Sequence, residues 1–121
     1  MTEIQNPKQY DLESRTQKFA QRIRIFAQNL PKSVANIEDS RQIIRSSGSI
    51  GANYIEANES LSKKDFTMRI KICRKEAKET EYWLHLLNTN EDLKLKTERK
   101  QLIQESVELR KIFGSILEKS K

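Results

Sequence analysis

Residues 45–87 read RSSGSIGANYIEANESLSKKDFTMRIKICRKEAKETEYWLHLL, and this stretch decides the fold. Its second half alternates spacings of four and three between residues that are mostly apolar. They are Phe66, Ile70, Cys73, Ala77, Thr80, Leu84 and Leu87. Such a heptad is typical of a helix that packs along one side in a bundle. We therefore predict a helix over residues 63–89, capped by Ser62 and ended by the Asn88–Asn90 turn.

The first half predicts a second helix, over residues 39–58, although it is rich in serine and glycine. Gly48 and Gly51 lie on one face of this helix, and each costs about 1 kcal/mol relative to alanine. Close approach of another helix backbone is the simplest reason for them. A break of the helix at Gly48 is the alternative.

Two further amphipathic segments flank this pair of helices. Apolar residues at helical spacing predict one helix over residues 11–30, with Asp11 as its N-cap and Pro31 as its end, and another over residues 97–118. Residues 1–10 are expected to be a flexible lead-in. Short links between four helices indicate an all-α, antiparallel up-down-up-down four-helix bundle over residues 11–119.

Composition agrees with a single helical domain. The chain has 121 residues, 36% hydrophobic and 33% charged, with only three glycines and two prolines, too few for the turns of a β-sandwich. A net charge of +6 permits attraction to nucleic acid or to an anionic membrane surface. The single cysteine rules out an internal disulfide. With neither a leader pattern nor a long apolar run, we expect a cytoplasmic protein without a membrane partner.

A group of short motifs resembles a known bacterial family. They are residues 45–53, 56–57, 62–66, 75–80 and 82–84. The chain is similar there to a family named for open reading frames in intervening sequences of large-subunit ribosomal RNA genes. The resemblance implies four-helix bundles that assemble into barrel-shaped homopentamers. A related group serves as basic accessory proteins of reverse transcriptases that are thought to bind nucleic acid. The resemblance supplies no catalytic residues.

A basic stripe runs along the predicted third helix. On a helical wheel its members fall within an arc of roughly 120°. They are Lys63, Lys64, Lys71, Arg74, Lys75 and Lys78. A face so uniformly positive repels itself and could contact phosphates of RNA or DNA without reading sequence. The alternative is a solvated face that maintains solubility.

An apolar ridge lies on another side of the same helix and consists of Met68, Ile72, Trp83 and Leu86. One bundle core normally accounts for one apolar stripe. A second stripe indicates either a helix in a central position or contact with another protomer. We favour the protomer interface, and therefore a homo-oligomer.

A polar set accompanies these stripes: Arg45, Asn53 and Glu56 on the second helix, and Glu76 and Glu79 on the third. We expect a structural network across helices or subunits, with Arg45 bridging a glutamate. A binding pocket and plain solvent exposure are the alternatives.

Catalytic patterns are missing from the sequence. The di-iron bundle motif needs Glu-x-x-His on two helices, whereas His85 is the only histidine. Cys73 and His85 would lie about 18 Å apart along a helix, too far for a nucleophile and its base. We therefore expect a non-enzymatic protein without metal or cofactor, and a nucleic-acid-binding accessory role. The alternative is a structural or protein-interaction module that meets a partner protein.

Overall fold

The structure is a computed structural model that describes the backbone of residues 7–121 and the side chains of residues 12–121. It contains four packed helices and, within the described range, no strand. The helices are α1 (Pro7–Gln28), α2 (Val34–Asn58), α3 (Lys63–Leu86) and α4 (Leu93–Lys119). Of the expected lead-in, residues 1–6 lie outside the described residues, and residues 7–10 belong to α1.

Caps explain where the helices begin. Ser62 accepts a hydrogen bond from the Asp65 backbone N–H at 3.0 Å, so α3 begins where the sequence predicts. In the same way Ser33 and Asp92 cap α2 and α4, which begin earlier than predicted. Asp11 lies inside α1 and is not its N-cap. The first turn of a helix tolerates Pro7, because proline lacks a backbone N–H and the N–H groups of the first turn have no partner within the helix.

The four helices pack in chain order, and α4 returns to α1. Side-chain contacts between neighbouring helices join the end of one helix to the beginning of the other. Asn58 near the end of α2 donates to Glu13 near the beginning of α1, at 3.0 Å. Arg69 early in α3 donates to Asn53 late in α2, at 3.0 Å. The interior holds side chains from all four helices, including Phe19, Phe26, Ile43, Ile50, Tyr54, Ile70, Leu84, Leu102, Leu109 and Phe113.

The glycine pair of α2 lies against α1. A Cβ atom on Gly51 would lie 2.9 Å from Oγ1 of Thr16, closer than normal packing allows. A Cβ on Gly48 would reach only the tip of Arg24, at 3.6 Å. The predicted close approach is therefore confirmed at Gly51. The predicted alternative of a break at Gly48 is wrong, because α2 continues through both residues.

A buried amide ties two interhelical loops together at one end of the bundle. The Asn36 side chain donates to the carbonyls of Pro31 and Asn88, at 3.0 and 2.8 Å. It also accepts from the Asn88 backbone N–H at 3.0 Å. Arg99 donates to the adjacent Leu87 carbonyl. These bonds satisfy buried backbone groups that the turns would otherwise leave without partners.

Candidate functional site

All six residues of the basic stripe are exposed. Four of them face α4 across a shallow groove of about 530 Å³, which we call the α3–α4 groove. Its lining consists of Lys71, Arg74, Lys75, Lys78, Arg110, Lys111 and Gly114. Lys63 and Lys64 lie nearer the beginning of α3, where they line a recess with Lys71 and Met68. The stripe therefore continues along α3 beyond the groove.

Helix α4 contributes Arg110 and Lys111, which sequence reasoning missed. Neither residue belongs to the basic stripe of α3. Their part in the groove becomes visible only when the packing of α4 against α3 is known. A Cβ atom on Gly114 would lie 4.0 Å from the Arg74 side chain, an ordinary van der Waals distance, so this position does not require glycine. Among the described residues, no carboxylate lines the groove. Its described lining therefore consists of six cationic side chains and one glycine.

Only one cation of the groove forms an ion pair within the described part of the chain. Arg110 Nη2 lies 3.2 Å from Glu81 Oε1, and the other Glu81 oxygen lies 3.9 Å from His85 Nε2. The Arg110 Nε is buried and has no hydrogen-bond partner among described atoms. The remaining groove cations have no described carboxylate within 4.0 Å. They are Lys71, Arg74, Lys75, Lys78 and Lys111.

The apolar ridge of α3 is partly open to solvent. Met68 is 53% exposed and Leu86 50%, whereas Ile72 and Trp83 are half-buried. Trp83 packs against the hydrophobic core on one side and meets the exposed Tyr82 ring on another. The ridge therefore combines an anchored indole with two exposed aliphatic side chains.

The polar set divides into two clusters. Arg45 lies 3.4 Å from the buried Glu76 carboxylate and 3.3 Å from that of Glu79. Asn53 belongs to a separate cluster, in which it accepts from Arg69 and donates to the Ser49 carbonyl at 2.9 Å. The structure thus brings Arg45 together with both glutamates. Asn53 does not join them.

Glu56 is exposed, and its carboxylate takes part in none of the bonds of these two clusters. Sequence reasoning missed a third polar contact between α2 and α3. The hydroxyl groups of Ser46 and Thr80 share a buried hydrogen bond of 2.6 Å. Ser46 of the serine-rich stretch and Thr80 of α3 therefore add a small buried polar pair to the seam between these helices.

The cysteine is a structural thiol. Burial raises the pKa of Cys73 to about 12, and its Sγ donates to the Ile50 carbonyl at 3.4 Å. A thiol that stays protonated at neutral pH is a poor nucleophile. Among the residues with described side chains, no three His, Cys, Asp or Glu groups cluster as metal ligands. Nor does any described helix have the length and apolar character needed to cross a membrane.

These observations define a small four-helix protein with a net charge of +6, and six of its cations line one groove between α3 and α4. Residues 8–115 match the family of the 23S rRNA-intervening sequence protein, and the chain belongs to that family. The resemblance found in the sequence is thereby confirmed.

A solved structure from Bacteroides thetaiotaomicron is similar to this chain. It is a protein with unknown function from the S23 ribosomal protein family. The two share 34% sequence identity with a TM-score of 0.77, and the match covers 92% of this chain and 98% of the other. No curated protein matches the chain.

Proposed function

We propose that this protein is a nucleic-acid-binding accessory factor that holds phosphodiester backbones in the α3–α4 groove. One observation carries the proposal. Five exposed cations from two helices converge on the groove without a described carboxylate within 4.0 Å. They lie beside Arg110, which Glu81 holds in place.

The charges of the groove favour a polyanion over water. Like charges on adjacent helical turns repel one another, and phosphates relieve that repulsion while releasing counterions. Lys63 and Lys64 extend the basic surface, so that cations on α3 cover about 22 Å of helix axis. Contacts of this kind position a backbone without reading its sequence. The family name refers to 23S ribosomal RNA, which makes RNA the first ligand to test.

The proposal includes an assembly. We infer an antiparallel up-down-up-down bundle that forms a homo-oligomer, with a pentamer as the state that the family resemblance implies. Support comes from the opposed contacts of neighbouring helices and from the exposed Met68 and Leu86 beside the anchored Trp83. A mass measurement in solution tests this part. A monomer at micromolar concentration would contradict it.

The protein in this proposal is cytoplasmic and non-enzymatic. The buried, protonated Cys73 supports the second point. So does Glu81, whose carboxylate pairs with Arg110 and lies beside the only histidine, His85. The contact between Glu81 and Arg110 joins α3 to α4. It leaves neither Glu81 nor His85 arranged as the base of a nucleophile.

The second candidate is a structural or protein-interaction module. The half-exposed ridge of Met68, Ile72, Trp83 and Leu86 favours it, because large apolar and aromatic side chains are frequent anchors in protein interfaces. In this case the groove cations would meet an acidic partner protein or water. Nucleic-acid affinity would then be absent.

Charge reversal separates the two candidates. The groove variant replaces Lys71, Arg74, Lys75 and Lys78 by Glu. Its matched control replaces Lys18, Lys32, Arg41 and Lys94 by Glu, which are three exposed lysines and one exposed arginine away from the groove. Both variants change net charge equally, and circular dichroism verifies that their helices persist.

We expect wild type and control to bind labelled RNA at low salt, and the groove variant to bind at least about a hundredfold more weakly. An equal loss of RNA affinity in both variants would mean that net charge alone causes the loss, and would contradict a localised site. An absence of RNA and DNA binding by wild type would overturn the first candidate and favour the second.

A further inference from the structure

The basic stripe ends at an exposed aromatic ring. Tyr82 follows Lys78 by four residues and Lys75 by seven, so all three share one side of α3. The Cα atom of Tyr82 lies about 6 Å beyond that of Lys78 along the helix axis. Tyr82 is 57% exposed, the larger part of an aromatic side chain left in water. Packing of the described bundle therefore does not account for this residue.

Trp83 holds the ring in place. The two ring centroids lie 5.1 Å apart with an interplanar angle of 71°, an edge-to-face contact. Trp83 itself is half-buried and packs on the hydrophobic core. An edge-to-face contact covers at most one face of the tyrosine ring, and with Tyr82 57% exposed, part of the residue stays open to a ligand. A ring positioned in advance loses little conformational freedom when a flat ligand stacks on it.

We propose that Tyr82 stacks on an unpaired base of a strand whose phosphates lie in the α3–α4 groove. This inference rests on the proposed function and narrows its ligand to single-stranded nucleic acid. Every base has a face that can stack on an aromatic side chain, so the contact tolerates any sequence. In a duplex the bases are already stacked and paired. Tyr82 would then contribute nothing to duplex affinity.

The test uses the full chain and three labelled RNA probes of equal length. They are single-stranded oligouridylate, an abasic single strand with the same phosphates, and a duplex. The variants are Tyr82→Ala, which removes the ring, and Tyr82→Phe, which keeps the ring and removes only the hydroxyl. Solution mass and circular dichroism are measured for both variants.

We expect Tyr82→Ala to weaken oligouridylate binding about tenfold, as for the loss of one base–ring stack, and Tyr82→Phe to bind like wild type. Affinity for the abasic strand and for the duplex should stay within about twofold. Unchanged oligouridylate affinity in Tyr82→Ala, or equal loss on the abasic strand, overturns the inference and leaves the groove proposal standing. Equal weakening by Tyr82→Phe also overturns it.

A change of solution mass in Tyr82→Ala would identify Tyr82 as a subunit contact, which also overturns the inference. Wild type that binds none of the probes would contradict the groove proposal itself, and the stacking role with it. The two failures are therefore distinguishable.

Discussion

Helix α4 borders two seams that treat charge in opposite ways. Against α1 its carboxylates meet arginines: Arg15 lies 2.7 Å from Glu105 and Arg22 lies 3.4 Å from Glu98. Against α3 it presents Arg110 and Lys111 to more cations, and Glu81 is the only carboxylate that pairs with a described cation of the groove. The first seam balances its charges within the fold. The second leaves five groove cations with no described carboxylate within 4.0 Å.

The paired seam has the geometry of a structural contact. Two nitrogens of Arg15 donate to both oxygens of Glu105, at 2.7 and 2.9 Å, and these hydrogen bonds to Glu105 raise the pKa of Arg15. Both side chains are partly shielded from water, with 29% and 20% exposed. Such bidentate pairs are stronger than exposed single contacts, which contribute about 0–1 kcal/mol. Stability and ligand binding should therefore respond to different seams.

The largest stability effect is expected for Glu105→Lys. The change removes the bidentate contact and places a second cation beside Arg15, in partly buried surroundings. We expect the free energy of unfolding to fall by about 2 kcal/mol, and the Tm by roughly 8 °C. Urea denaturation measures the first and calorimetry the second.

The matched reversal in the other seam is Lys75→Glu. Lys75 is exposed and has no described ion pair. The free energy of unfolding of the Lys75→Glu variant should therefore stay within about 0.5 kcal/mol of the wild-type value. Equal destabilisation by both reversals would remove the contrast between the seams.

Glu81→Gln is expected to have a smaller effect, which lowers stability and raises affinity for RNA. Loss of the ion pair with Arg110 should lower the free energy of unfolding by about 1 kcal/mol. The same change leaves the Arg110 charge without its counterion, so affinity for RNA should rise roughly threefold. Urea denaturation and RNA titration give the two values. A fall in affinity would instead mean that Glu81 is needed to position Arg110.

The smallest expected effect is a loss of stability at acidic pH. The pKa of Glu108 is lowered below its ordinary 4.5, chiefly by a hydrogen bond from Gln104 and further by Arg15. A group whose pKa is lower in the folded state contributes stability above its unfolded pKa. That contribution disappears as pH falls through the folded pKa.

Stability should therefore decline between about pH 5 and pH 3, and Glu108→Gln should make the decline shallower. Urea denaturation across this range is the measurement. Lys75→Gln is the control and should leave the decline unchanged, because lysine stays protonated throughout the range. Identical declines in all three proteins would exclude Glu108 as a source of the acid sensitivity.

The sequence predicts α3 well because its signals are local. The heptad from Phe66 to Leu87 and the Ser62 cap each lie within one helix, and burial and capping of that helix agree with them. The predicted starts of α2 and α4 are too late, because Val34 and Leu93 are exposed and add nothing to an apolar stripe. Caps at Ser33 and Asp92 determine these starts.

Only the part of the candidate site that lies on α3 could be predicted from the sequence. The wheel of α3 identifies the basic stripe, and its residues are exposed. Arg110 and Lys111 could not be identified, because their role depends on which side of α4 faces α3. The same reason separates Asn53 from the Arg45 cluster and leaves Glu56 outside both. The partner of a polar side chain depends on interhelical register, which a single helix does not encode.

The slope of RNA affinity against salt tests the central claim most directly. For single strands the logarithm of affinity falls with the logarithm of salt by about 0.7 for each neutralised phosphate. If the groove holds phosphates, replacement of Lys71, Arg74, Lys75 and Lys78 by Gln should make the slope shallower by about 3. Replacement of Lys18, Lys32, Arg41 and Lys94 by Gln should leave the wild-type slope. Parallel slopes for all three proteins would contradict a phosphate-binding groove between α3 and α4.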